Sequence, residues 1–147
     1  NYIYDYAQKK KNFKEVEGIE FQMKLLTELS GDYSETILDN LANKEMVIKN
    51  AKKDLDAYYS GNTQYYEDGQ NLLINQFKQL NDNDKEKYEK YWNILLYNRN
   101  IHMKDTLINS INNGKHDFMG IGCKHIYGKK GIIQLLKDDG YLVECMK

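Results

Sequence analysis

Residues 116–146, HDFMGIGCKHIYGKKGIIQLLKDDGYLVECM, carry the clearest change of pattern in this chain. Residues 116–121 are largely apolar and predict a short buried strand, residues 128–139 repeat apolar side chains at helical spacing, and residues 141–146 predict a final strand. A strand, a helix and a second strand in this order are typical of parallel strands joined by a right-handed crossover. The stretch therefore predicts an α/β fold.

The same alternation extends toward the N-terminus. Residues 1–11 predict a helix, residues 13–19 predict a first strand, and a further helix is expected from Glu20 to Gly31. Three strands predict a small, mostly parallel sheet with flanking helices. Such a sheet normally has neighbours on each side, so the single domain over 1–147 is expected to be truncated. Its open sheet edges could then support a homo-oligomer.

Residues 32–80 are expected to form a helical insertion in this domain. A capping box at Asp32 and Glu35 predicts a helix over 32–59, which Gly61 ends, and a second helix follows over 63–80. The insertion is rich in tyrosine, and tyrosine clusters are found both in interfaces and in cores.

A long helix is predicted from a capping box at Asn83 and Glu86 to Asn113. Its apolar stripe is interrupted at the centre by Arg99. Burying an unpaired guanidinium is costly, so Arg99 either reaches solvent or meets a carboxylate or a ligand. His102, one turn later, is expected to be a surface or packed histidine.

A glycine-rich turn follows the predicted strand at 116–121 and contains Gly122, His125 and Gly128. In open α/β sheets this is where ligands bind, because glycines let a substrate approach the backbone. His125 could be a metal ligand or a general base there, or the glycines could serve the turn alone while His125 packs locally. Cys123 is expected to be a small buried residue rather than a nucleophile.

Glu17, Arg99 and His125 are predicted to meet at one edge of the sheet. The helix rises about 1.5 Å per residue and a strand about 3.3 Å, so the helix after Arg99 and the strand returning to Gly122 have similar lengths. A first strand parallel to this one brings Glu17 to the same edge, where it could pair with Arg99 or bind a metal.

Composition excludes several classes of protein. The formal net charge of -1 gives no basic field for nucleic acid, so no nucleic-acid partner is expected. No apolar run approaches the roughly 20 residues of a membrane-spanning helix. Two cysteines are too few for a disulfide scaffold.

Several segments together resemble the C-terminal half of TraB/GumN-type proteins, relatives of the Tiki metallopeptidases and of PrgY-type pheromone-shutdown proteins. They are Val16-Glu-Gly-Ile-Glu-Phe-Gln22, Asn98-Arg-Asn-Ile-His-Met103 and Phe118-Met-Gly-Ile-Gly-Cys-Lys-His-Ile-Tyr-Gly128. Gly122 and His125 match the second of the family's two Gly-x-x-His motifs. Nothing in the chain matches the first motif, and Lys124 replaces the small residue usual before the histidine, where it could crowd or charge the site.

The resemblance implies a site that agrees with the one predicted from spacing. A divalent metal (zinc, manganese or cobalt) would be held partly by His125, with Glu17 as a ligand or base. Arg99 would orient a carboxylate or stabilise an oxyanion. Asn100 is the second residue of the family's Arg-Asn pair. Asn100, Gly122 and Gly128 would be substrate-binding or turn positions. A catalytic zinc usually takes three protein ligands, of which this chain offers at most two.

Two functions are therefore expected as alternatives. The first is a metal-dependent, peptidase-like hydrolase acting on a peptide or protein, inactive without its missing half. The second is a non-catalytic module in which the insertion binds a peptide or protein. Family resemblance also implies an extracytoplasmic or membrane-anchored bacterial protein.

Overall fold

The regular structure in the described part of the chain is helical. The computed structural model describes residues 5–6, 9, 14–32, 42–115 and 118–146. In chain order its main elements are α1 (Ile19–Asp32), α2 (Lys44–Ser60), α3 (Thr63–Lys78), α4 (Asp82–Trp92), a π-helical segment (Asn93–Tyr97), α5 (Asn98–Asn112), a 3₁₀ turn (Cys123–His125) and α6 (Ile132–Asp138). Of the predicted helix over 1–11, only residues 5, 6 and 9 lie among the described residues.

The predicted α/β fold with a three-stranded parallel sheet is wrong. Within the described ranges no residue is in a strand, and residues 14–18, 118–122 and 141–146 are irregular. Phe118 and Leu142, expected in buried strands, are 84% and 86% exposed. Short apolar runs do not by themselves specify a strand, and a strand needs a neighbour to satisfy its backbone. The predicted homo-oligomer would form through open sheet edges. The described ranges contain no sheet edge.

Helices α2 and α3 form a hairpin around the predicted break. Gly61 has φ 66°, a left-handed conformation that suits glycine, and the Asn62 side chain accepts a hydrogen bond from the Tyr65 backbone N–H at 3.2 Å. The predicted start of this helix was wrong, because Asp32 is the last residue of α1. Glu35, its expected capping partner, lies outside the described residues.

The predicted long helix is present as α4, the π-helical segment and α5. Its N-cap is Asn81, two residues before the predicted one, and the Asn81 side chain accepts from the Asp84 backbone N–H at 3.0 Å. The Asp84 carboxylate also accepts from the Asn81 side-chain amide at 2.6 Å. This side-chain pair differs from a capping box, in which the carboxylate would accept from the N-cap backbone N–H. None of the helices within the described ranges combines the length and apolar character needed to cross a bilayer.

The core that positions the site lies between α5 and α6. Met103 of α5 and Ile132 of α6 are buried there, at 5% and 3% exposure, and Leu96 of the preceding π-helical segment is buried at 8%. The Lys104 ammonium lies 2.5 Å from the Asp139 carboxylate and ties α5 to the end of α6. Apolar contact and this ion pair hold the loop before α6 against the face of α5 that carries Arg99 and Asn100.

Candidate functional site

Arg99 meets a carboxylate, which was one of the two outcomes predicted for it. Its Nε donates to Glu17 Oε1 at 2.9 Å, and its Nη2 donates to Glu17 Oε2 at 2.7 Å. A third bond runs from Nη1 to the Leu95 carbonyl at 3.0 Å. Only 15% of the Arg99 side chain and 6% of the Glu17 side chain are exposed. The guanidinium is therefore compensated by a two-point ion pair that excludes most water.

His102 fixes the segment that carries Glu17. His102 lies three residues after Arg99 on α5, and its Nε2 donates to the Val16 carbonyl at 3.1 Å. Side chains three positions apart on a helix are neighbours on one face. Arg99 and His102 therefore hold consecutive residues of the segment 14–18. The sequence prediction assigned His102 no such role, although its spacing from Arg99 pointed to the same face.

Asn100 fixes both the orientation and the tautomer of His125. Its Nδ2 donates to the Lys130 carbonyl at 2.7 Å, and its Oδ1 lies 2.6 Å from His125 Nδ1. The Lys130 carbonyl can only accept, so the amide nitrogen faces it and the amide oxygen faces the histidine. His125 Nδ1 must then carry the proton, which leaves the lone pair on Nε2. Asn100 is fully buried and His125 is 8% exposed.

The surroundings of His125 favour its neutral form. Burial lowers the pKa of His125 below its ordinary value of 6.5, and the positive charge of Arg99 lowers it further. The negative charge of Glu17 opposes this shift with a smaller effect. Of the three predicted site residues, Glu17 and Arg99 are in direct contact. His125 is bonded to Asn100, the residue after Arg99, and the charges of Arg99 and Glu17 act on its pKa.

The glycines shape the turn around His125. The Gly122 carbonyl accepts from the His125 backbone N–H at 3.0 Å, and Gly128 has φ 89°. Gly131 was not among the predicted site residues, yet a Cβ there would lie 2.3 Å from the Tyr127 carbonyl oxygen. Turn roles are therefore clear for Gly122 and Gly128, and a contact of either with substrate stays a prediction.

The donor set can be compared with the needs of a divalent metal. Neutral His125 with a proton on Nδ1 suits coordination through Nε2, and a hydrogen bond from the other ring nitrogen is typical of metal-ligating histidines. Arg99 occupies one acceptor position on each Glu17 oxygen, and each oxygen has a second. In the described part of the chain no group of three histidine, cysteine or acidic side chains could hold an ion. The His125 Nε2 and the Glu17 oxygens have the donor chemistry of metal ligands, and their coordination of an ion stays a prediction.

The comparison with known families covers nearly the whole chain. The family model described as TraB/PrgY/gumN matches residues 1–145 of the chain. The chain belongs to the TraB/PrgY/gumN family. This confirms the resemblance seen in the sequence. No protein with a curated description and no solved structure is significantly similar to the chain.

In this TraB/PrgY/gumN-family chain, the Lys124 side chain points away from the site and does not crowd it. Its side chain is 69% exposed, and its ammonium lies 3.1 Å from the Asp54 carboxylate on α2. The positive charge beside His125 is therefore directed toward the α2–α3 hairpin. Asp54 is a residue that the sequence pattern did not single out, since an acidic residue on an exposed helix face is common.

A π-helical segment ends one residue before the Arg-Asn pair of this TraB/PrgY/gumN-family chain. It spans Asn93–Tyr97, and the Leu95 carbonyl within it accepts from Arg99 Nη1. Short π-helical segments inside α-helices are frequent at functional sites, because the extra residue rotates the side chains that follow. No apolar pattern signals such a segment in advance.

Proposed function

We propose that this chain contributes His125 and Glu17 to a metal-dependent hydrolase site whose substrates are peptides. The observation that supports this best is the hydrogen bond from His125 Nδ1 to Asn100. That bond engages Nδ1 and leaves the Nε2 lone pair to bind a metal or a proton. A histidine in the core also needs a partner for its N–H group, so the feature that favours a functional role is the orientation of the Nε2 lone pair.

Electrostatics support the same role. A metal ligand or general base must be unprotonated at working pH, and both burial and the Arg99 charge keep His125 neutral. A bound divalent ion would supply water activation or polarisation of a carbonyl group. His125 would hold the ion through Nε2, and Glu17 would offer the acceptor positions that Arg99 leaves open.

Arg99 would act mainly by holding Glu17. Three of its five N–H donors are engaged, two by Glu17 and one by the Leu95 carbonyl. Two donors stay available to a substrate carboxylate or a developing oxyanion, as the family resemblance implies. Arg99 would thus mainly order the Glu17 carboxylate, and its two remaining donors would contact substrate.

The test uses the full-length protein, with bound metal measured by elemental analysis and peptide cleavage measured in the same preparations. His125→Ala and Glu17→Gln are expected to lower metal content and to remove cleavage while the far-UV circular dichroism spectrum is preserved. Gln134→Ala, an exposed change on α6, is the control and should leave both unchanged. Full metal occupancy and cleavage in folded His125→Ala would overturn the proposal.

A peptide- or protein-binding module is the second candidate, favoured by one observation. Tyr58 and Tyr59 on α2 are 61% and 82% exposed and pack edge to face at 5.6 Å. Exposed tyrosines of this kind are enriched in interfaces. If metal is absent from the full-length protein and Tyr59→Ala weakens partner binding while His125→Ala does not, the module is the better description.

A further inference from the structure

The α2–α3 hairpin makes a polar contact with the loop that carries His125. Asp54 on α2 is the centre of it, because its carboxylate accepts from the Tyr65 hydroxyl at 2.8 Å and lies 3.1 Å from the Lys124 ammonium. The Tyr66 hydroxyl donates to the Asp54 backbone carbonyl at 2.9 Å. Tyr65 therefore orients the carboxylate that meets Lys124, the residue directly before His125.

A second contact lies on the other side of His125. The ring of Tyr66 stacks on the ring of Tyr127, with centroids 5.8 Å apart and planes 16° apart. Partial burial against the loop and the neighbouring Cys123 raise the pKa of Tyr66 to about 12, so its hydroxyl stays protonated and donating. Lys124 and Tyr127 are thus both held by the hairpin, and His125 lies between them.

Apolar packing alone does not fix this junction. A partly open cavity of about 120 Å³ lies between the hairpin and the loop, lined among others by Ala57, Cys123 and Ile126. Loosely filled junctions lose dispersion contacts and permit side-chain movement. The orientation of the loop on the hairpin therefore depends on the polar and stacking contacts of Asp54 and Tyr66.

We propose that the α2–α3 hairpin is a positioning element for His125, with Asp54 acting through Lys124 and Tyr66 acting through Tyr127. This rests on the proposed function only in giving His125 a functional role. The contacts themselves need neither metal nor substrate. Asp54 and Tyr66 are positioning residues rather than catalytic ones. Lys124, in place of the family's usual small residue, is explained by its partner on α2.

The experiment measures amide hydrogen exchange in the full-length protein. The reporters are the His125 and Ile126 amides, which donate within the turn to Gly122 and Cys123 at 3.0 and 3.1 Å. Asp54→Lys is expected to accelerate their exchange about fivefold, the scale of one exposed ion pair, while the amides of α5 keep their rates. Adding Lys124→Asp should restore the rates to within about twofold by re-forming the pair in reverse.

Asp56→Lys is the matched control, since Asp56 is exposed on the same helix and forms no ion pair with any described residue. Should Asp54→Lys fail to fold, Asp54→Asn and Tyr66→Leu, which removes the ring stack on Tyr127, serve instead, with an expected acceleration of about twofold. The result that overturns the proposal is unchanged exchange in these folded variants, equal acceleration in Asp56→Lys, or no recovery in the double variant. A failed hydrolase test with accelerated loop exchange would overturn the proposed function and leave the positioning contact standing.

Discussion

Glu17 and Arg99 lie 82 positions apart in the chain and meet through two parallel hydrogen bonds of 2.9 and 2.7 Å. Arg99→Met leaves the Glu17 carboxylate largely buried without its partner. We expect the free energy of unfolding to fall by about 3 kcal/mol, the lower end of the cost of stripping a buried charge of its partner. Denaturant unfolding monitored by circular dichroism measures this.

The control for this change is an ion pair on the surface. Lys85 lies 3.6 Å from Asp82, whose side chain is fully exposed. Lys85→Met should therefore change the free energy of unfolding by less than about 1 kcal/mol. Equal losses in the two variants would show that burial does not strengthen the Glu17–Arg99 pair.

The stability contributed by neutral His125 should depend on pH in a definite direction. Burial and then the Arg99 charge hold the folded-state pKa of His125 below 6.5, the ordinary value expected for the unfolded chain. The stabilisation is therefore complete above pH about 6.5 and is lost as pH falls through the lower folded-state pKa. The difference in unfolding free energy between wild type and His125→Asn should shrink between about pH 7 and pH 5. A difference independent of pH would contradict this.

Asn100→Leu should remove the tautomer selection of His125. The change leaves two groups without partners, the His125 Nδ1–H and the Lys130 carbonyl. At about 1–3 kcal/mol for each group left without a partner, we expect a loss of about 2–6 kcal/mol in the free energy of unfolding. The nitrogen-15 shifts of the His125 ring should also move from a single tautomer toward a mixture.

Asn98→Leu is the matched control, because Asn98 is exposed two residues earlier on the same helix. Its effect on stability should stay within about 0.5 kcal/mol, and the His125 ring shifts should not move. If Asn100→Leu also leaves those shifts unchanged, Asn100 does not select the tautomer.

Gly131→Ala tests the close approach of backbones before α6. The added methyl group would lie 2.3 Å from the Tyr127 carbonyl oxygen, so the loop that carries His125 must shift. We expect destabilisation of at least about 2 kcal/mol, within the range for overpacking. Thermal unfolding measures this.

Gly69→Ala is the control, at a position where an added methyl group has room, and it should have the opposite effect on stability. Gly69 is within α3, and a Cβ there would meet nothing within 4 Å. Alanine is the better helix former, so this change should stabilise the chain by about 0.5–1 kcal/mol. Destabilisation of similar size in both glycine variants would rule out a specific clash at Gly131.

The predicted meeting of Glu17 with Arg99 was right although the sheet expected to bring them together is absent from the described residues. A helix of 3.6 residues per turn assigns each side chain to a face, so the pattern alone placed Arg99 in an apolar stripe, where it had either to reach solvent or to meet a carboxylate or ligand. The apolar run at 118–121 carried no equivalent information, because four such residues suit a strand, a buried turn or an irregular segment equally well.

The sequence by itself determined the α2–α3 turn at Gly61, the long helix around Arg99, and the family to which the chain belongs. Periodicity, turn chemistry and ordered motifs are local properties, so they can be read without knowing where distant residues lie. Only the tertiary structure decided that His125 bonds to Asn100, 25 positions away, and that Lys124 turns toward Asp54. Those choices depend on how α5, the loop and the hairpin pack against one another, and packing between distant segments is not encoded in any local period.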